Sequence, residues 1–145
     1  MFTPFDQDCY PVYESWFSDS ETRRWLQPPS KRLLDYVTKT PGVFCWMIQD
    51  EDQMVGYVQM DRQPDGSAAI SYAVNPQLRQ RGYGKAILQA LLQRSEARQF
   101  TVISAGTEVE NVASQRCLAS VGFSLPQAVP DAGGFLNFVY SNVER

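Results

Sequence analysis

Between residues 74 and 85 a strand-like run gives way to a helical one: Val74-Asn75-Pro76-Gln77-Leu78-Arg79-Gln80-Arg81-Gly82-Tyr83-Gly84-Lys85. Two glycines flank Tyr83 where the helix should begin, and Arg79, Arg81 and Lys85 crowd the same place. A helix N-terminus carries roughly half a positive charge, so cations there are normally disfavoured by a few tenths of a kcal/mol each. An anion bound by the unsatisfied backbone N–H groups of that terminus removes the conflict. The segment therefore predicts a strand–turn–helix unit that holds a phosphorylated ligand.

The rest of the chain narrows the possibilities. Its 145 residues predict one domain, residues 1–145, large enough for a real core. No apolar run is long enough for a membrane span. Met1-Phe2-Thr3-Pro4-Phe5-Asp6 has neither the basic n-region nor the apolar h-region of a signal peptide. Cys9, Cys45 and Cys117 are scattered and odd in number, and read as free thiols in a reducing cytoplasm. A net charge of −3 and a pI near 4.9, without a basic stripe, argue against nucleic acid as partner. The cations at 79–85 are local and sized for a small anion. Histidine is absent. That excludes Ser–His–Asp and Cys–His nucleophilic machinery and an HExxH site, and three dispersed cysteines cannot form a four-thiolate zinc site. Proton transfer must use carboxylates, hydroxyls, thiols, amines or water.

Residues 6–26 are aromatic-rich and predict two short helices, with Ser18-Asp19-Ser20-Glu21 supplying an N-cap and acidic first turn for the second. Pro28-Pro29 breaks that helix, Ser30 caps another through Lys39, and Pro41-Gly42 ends it. Val43–Gln49, Met54–Asp61 and Ala68–Val74 read as an antiparallel meander, turned at Asp50-Glu51-Asp52 and Pro64-Asp65-Gly66. In the third strand Ile70, Tyr72 and Val74 share one face. Ile87, Leu88, Leu91 and Leu92 then repeat at helical spacing. Phe100–Ser104 is predicted as a strand, and strand–helix–strand implies a parallel pair. Asn111 begins a helix closed by Gly122, and a last strand spans Phe135–Tyr140. The sum is an α+β fold with a mixed sheet.

Two common phosphate sites fail on particular residues. A P-loop needs a hydroxyl after the lysine, and Lys85 is followed by Ala86. A dinucleotide fingerprint needs a third glycine at 87, which is Ile87. What remains is Arg79-x-x-Gly82-x-Gly84, similar to the turn of acyl-CoA-dependent acetyltransferases. One helix and one strand later comes a second constellation, Glu110-Asn111-Val112-Ala113-Ser114-Gln115-Arg116-Cys117-Leu118-Ala119-Ser120-Val121-Gly122-Phe123. With both segments present, the chain resembles the GNAT superfamily of N-acetyltransferases over residues 43–140. The Asn111–Phe123 form looks closest to the branch that includes ribosomal-protein N-terminal acetyltransferases.

The resemblance implies a mostly antiparallel central sheet flanked by helices, with a splayed parallel strand pair. It implies acetyl-CoA as cosubstrate, no metal, and an amine acceptor, either a protein N-terminus or a small molecule. A homodimer is compatible with it. Backbone groups of Tyr72, Ala73 and Val74 would pair with the pantetheine arm. Backbone N–H groups of Gln80, Arg81, Gly82, Tyr83, Gly84 and Lys85 would surround the pyrophosphate. Arg79, Arg81 or Lys85 would meet phosphate oxygens. Asn111 would bond the pantetheine, and Ser114 would lie near the thiol.

The implied chemistry is direct attack of an amine on the thioester in a ternary complex. The family's usual tyrosine acid falls at Leu118, and its usual glutamate near Gly106. Ser114 is the next candidate acid; Tyr72 and Tyr140 follow. The base has no clear owner among Glu108, Glu110, Asp61 and water. Losing both usual positions leaves a second expectation open, a non-catalytic acyl-CoA-binding or sensor module. The aromatics Tyr10, Tyr13, Trp16, Phe17 and Trp25 either line the acceptor pocket or form core.

Overall fold

The structure is a computed structural model that describes residues 1–142. It is α+β. Six strands form one sheet in chain order: β1 Phe2–Pro4, β2 Val43–Asp50, β3 Gln53–Arg62, β4 Ala68–Val74, β5 Val102–Glu108 and β6 Phe135–Ser141. The helices are α1 Tyr10–Ser15, α2 Ser20–Trp25, α3 Lys31–Lys39, α4 Tyr83–Gln93, α5 Ser95–Arg98 and α6 Val112–Ser120. The ladders β1–β2, β2–β3 and β5–β6 are antiparallel. The β4–β5 pair is parallel and joins Ala68 to Ile103 and Ala69 to Ser104. No helix among the described residues is long and apolar enough to cross a membrane.

The chain divides into two compact units. The first comprises Met1–Asp61 and Tyr72–Tyr83; the second comprises Arg62–Ser71 and the residues from Gly84 onward.

In the first unit the predicted caps hold. Asp19 accepts from the Thr22 N–H at 2.9 Å and starts α2; Ser30 accepts from the Leu33 N–H at 3.4 Å and starts α3. The core is aromatic. Tyr13 stacks on Tyr57 with ring centroids 4.0 Å apart, and Phe5 meets both edge-on. Trp16 and Phe17 pack edge-on against Tyr13 from the next turn. Such contacts add about 0.5–1.5 kcal/mol each beyond area burial. Cys9 and Cys45 lie in the same cluster, and burial pushes the Cys45 thiol up to about 12. It stays protonated at neutral pH, so it is packing and not a nucleophile.

In the second unit the spacing in α4 does what its period implies: Ile87, Leu88, Leu91 and Leu92 are all buried. Helix α6 ends in a Schellman motif. Phe123 N–H bonds Leu118 O at 3.1 Å and Gly122 N–H bonds Ala119 O at 3.2 Å. Gly122 sits at φ 106°, and a Cβ there would lie 3.3 Å from the Tyr140 ring. We expect Gly122→Ala to lower stability by roughly 1–2 kcal/mol, from left-handed strain plus that contact. Urea denaturation with an unchanged m-value checks it; an unaltered midpoint would show that the cap does not need glycine.

One expectation needs correction. The strand predicted at Phe100–Ser104 begins at Val102, because residues 95–98 wind into α5 and Phe100 N–H closes that turn on Ala97 O at 3.1 Å. Phe100 is buried as an anchor, not as a strand residue. Strand β1 has only three residues, one of them a proline, too short for any periodic signal. In β4 the two faces named from the sequence are not distinguished by burial, and Ile70 is buried. Ala73 is buried, while Tyr72 and Val74 are half-buried. A central strand is covered on both faces, so burial need not alternate along it.

Candidate functional site

The turn after β4 is built by Asn75. Its backbone N–H bonds Val55 O at 2.9 Å and its side-chain Nδ2 donates to Met54 O at 3.0 Å, which ties the end of β4 to β3. Its Oδ1 accepts from the Gln77 N–H at 3.0 Å and starts a 3-10 turn over Pro76–Leu78. Buried Leu78 anchors that turn. The backbone then reverses hand twice, at Gln80 (φ 63°) and Gly82 (φ 83°), before α4 begins at Tyr83. A Cβ on Gly82 would have no neighbour within 4 Å, so the glycine is required by its φ and not by crowding within the protein. Tyr83 braces the far end: its hydroxyl donates to Asp50 Oδ2 at 3.2 Å in the β2–β3 hairpin. That bond keeps the Tyr83 hydroxyl protonated beyond its usual range.

The three cations diverge here. Arg79 is held by protein carboxylates. Its Nη2 donates to Asp19 Oδ2 at 2.5 Å and to Thr22 Oγ1 at 2.9 Å, and its Nη1 lies 3.1 Å from Glu21 Oε2. Thr22 Oγ1 in turn donates to Asp19 Oδ2 at 2.9 Å, and Thr22 is buried. Arg81 and Lys85 are exposed, and among the described residues neither makes an ion pair. The excess of charge at the start of α4 therefore rests on Arg81 and Lys85.

The Arg79 guanidinium, and after it the Thr22 N–H, holds the Asp19 carboxyl well below the usual carboxylate range. A depressed folded-state value gives stability that is present above the ordinary carboxylate pKa of about 4 and is lost as pH falls toward the folded value. Asp65 and Asp131 are lowered likewise, chiefly by the Ser67 hydroxyl and the Asn137 amide. Asp19→Asn should therefore shrink, without abolishing, the loss of stability between about pH 5 and pH 2. Thermal melts across that range would show it. Parallel curves for variant and wild type would remove Asp19 from the acid response.

The segment on either side of Asp19, from α1 through α2, also settles most of the aromatic question. Tyr13, Trp16 and Phe17 are core. Tyr10 is half-buried and donates to Pro29 O at 3.2 Å, and Trp25 carries Arg24 over its ring at 4.4 Å. On β3 a polar chain reaches the surface. Tyr57 donates to Gln59 Oε1, Gln59 to Asp61 Oδ1, and Tyr36 to Asp61 Oδ2, at 2.6, 2.9 and 2.6 Å.

The pattern of the acetyltransferase (GNAT) family matches residues 10–123, a span that includes both the turn and α6. The chain belongs to the GNAT family. Over 135 residues this GNAT protein is 31% identical to the uncharacterized N-acetyltransferase YfmK of Bacillus subtilis (strain 168), covering 90% of this chain and 89% of that one. It is 37% identical over 57 residues to the mycothiol acetyltransferase of Stackebrandtia nassauensis, which is 39% of this chain but only 19% of that protein. In fold it is similar to the aminoglycoside acetyltransferase AAC(6')-Ib in complex with coenzyme A, with a TM-score of 0.81 at 16% identity over 97% of this chain and 94% of the other.

In the second unit of this GNAT protein, Asn111 is the N-cap of α6, accepting from the Ser114 N–H at 3.3 Å. Gln115 folds back from α6 to the end of β5, donating to Glu108 O and Val109 O at 3.1 and 2.8 Å. Leu118 has no exposed surface. Gly106 is exposed on β5 beside Phe135. Tyr140 packs on Phe123 with centroids 5.4 Å apart. The residue that sequence reasoning missed is Asp19 as the partner of Arg79. The two stand 60 residues apart, and a lone N-cap aspartate carries no signal for a distant guanidinium.

Proposed function

We propose that this GNAT protein transfers the acetyl group of acetyl-CoA to a primary amine by direct attack in a ternary complex. The amine nitrogen forms a bond to the thioester carbonyl carbon and gives up a proton, the carbon–sulfur bond breaks, and the departing thiolate takes up a proton. One observation carries the reading. At the start of α4, Gln80 and Gly82 turn the backbone through the left-handed region on either side of Arg81, with Lys85 exposed in the first helical turn. Successive reversals of this kind gather N–H groups into an anion-binding concavity, and a helix N-terminus adds its dipole. The pyrophosphate of acetyl-CoA fits that chemistry, with Arg81 and Lys85 as its cations. Tyr72–Val74, the strand residues leading into the turn, are the proposed backbone partners of the pantetheine arm. The acceptor is a protein N-terminus or a small-molecule amine, and residues 1–145 serve as one acetyltransferase domain.

Release of free CoA thiol over a panel of amines and peptides tests the transfer. Thermal shift with acetyl-CoA, ATP and NAD tests the ligand; stabilisation by ATP or NAD but not by acetyl-CoA would overturn the reading. Ser114 is the proposed acid. Ser114→Ala should lower turnover about 10–100-fold with little change in acetyl-CoA affinity, and an unchanged rate would remove Ser114 from the mechanism.

A non-catalytic acyl-CoA sensor is supported by one feature, the fully buried Leu118 where the family's tyrosine acid stands. Tight acetyl-CoA binding with no thiol release on any acceptor would favour that reading.

A further inference from the structure

The motif position that begins the turn, Arg79, is held by the Asp19 and Glu21 carboxylates in this chain. We infer that Asp19, acting through Arg79, is a positioning residue that fixes the cosubstrate turn from the N-cap of α2. The inference rests on the acetyl-CoA reading above.

Three observations carry it. First, the guanidinium is shared between two carboxylates and a hydroxyl, those of Asp19, Glu21 and Thr22. Two carboxylates on one guanidinium leave a net charge of −1, so Arg79 contributes no positive charge to an anion. Second, the network closes on itself. Asp19 Oδ2 receives the Thr22 N–H, the Thr22 hydroxyl and Arg79, while the Thr22 hydroxyl donates to Asp19 and accepts from Arg79. Buried Thr22 links the two charged groups, donating to one and accepting from the other. Third, Arg79 is the residue immediately before Gln80, whose left-handed backbone begins the turn. With Arg79 held by α2 at one end and Tyr83 held by Asp50 at the other, residues 80–82 are suspended between two fixed points. N–H groups fixed before the ligand arrives bind it without an ordering cost.

The consequence is that removing the Asp19 charge should weaken acetyl-CoA binding although Asp19 touches no part of it. Asp19→Asn is the informative variant because asparagine is as good an N-cap as aspartate, so α2 keeps its start while the ion pair is lost. Calorimetric titration of acetyl-CoA into wild type, Asp19→Asn, Arg79→Gln and the double variant reads the effect. Each single change should weaken affinity about 5–10-fold, and the double variant should be no weaker than the weaker single, because both break one linkage. In steady state the KM for acetyl-CoA should rise with kcat unchanged, whereas a loss of folded protein would lower kcat and leave KM alone.

If Arg79→Gln weakens binding while Asp19→Asn binds like wild type, the guanidinium serves the phosphates directly and the inference fails. It fails equally if the double variant loses the product of the two single effects. Should wild type itself not bind acetyl-CoA, the functional reading falls and this inference with it. Wild-type binding with an indifferent Asp19→Asn overturns the inference alone.

Discussion

Gly84→Glu should abolish acetyl-CoA binding while the fold survives. Gly84 is the second residue of α4, in the first turn, where backbone N–H groups have no partner within the helix. For folding, the substitution is favourable on two counts. A carboxylate in the first turn gains roughly 0.3–1 kcal/mol from the helix dipole. Replacing glycine within a helix recovers about 0.5–1 kcal/mol of backbone entropy. For an anionic ligand it is the reverse. A unit charge about 4 Å from a phosphate costs ~4 kcal/mol at the effective dielectric of a protein surface. Affinity should therefore fall more than about 100-fold while the melting temperature is unchanged or higher. Circular dichroism and calorimetric titration on the same preparation separate the two effects. Retained affinity in a folded variant would mean that the pyrophosphate is held elsewhere.

Leu118→Ala should produce the largest change in stability. Leu118 is among the largest side chains with no exposed surface, and α6 brings it into the core. Truncation removes transfer energy and leaves a cavity, about 2–5 kcal/mol in sites of this kind, against a total stability of roughly 5–15 kcal/mol. The Schellman bond to the Leu118 carbonyl is backbone and should remain, so the loss isolates the side chain. Leu118→Met, which conserves volume, should cost less than about 1.5 kcal/mol. Urea denaturation of both variants tests this, and a Leu118→Ala midpoint near wild type would contradict full burial. The same packing bears on catalysis. A tyrosine at 118 would need room for a larger ring where leucine already fills the space.

Much of the fold was legible because its signals are local. Asp19, Ser30 and Asn111 cap helices through bonds to N–H groups three residues on, and each reads directly from side-chain type and position. The α4 stripe is legible for the same reason, since its buried residues recur with the helical period. Strand β1 and helix α5 were not legible: three and four residues are too few to show a period. The candidate turn was half legible. Its glycines, cations and place before a helix are sequence facts, and they led to the GNAT family. Its left-handed Gln80 was not, because glutamine, unlike glycine or asparagine, has no preference for that region.

What the chain determined by itself was therefore chemistry and local geometry: no histidine, an anion-shaped turn, and the helices around it. What the tertiary structure decided was the assignment of charge. Arg79 looked like one of three cations waiting for a phosphate; in the fold it is paired with Asp19 and Glu21, and Arg81 and Lys85 remain exposed. The physical reason is that a cap or a helical stripe depends on neighbours a few residues away. An ion pair depends on which surfaces the folded chain brings within about 4 Å, and the sequence between Asp19 and Arg79, 60 positions apart, carries no record of that approach.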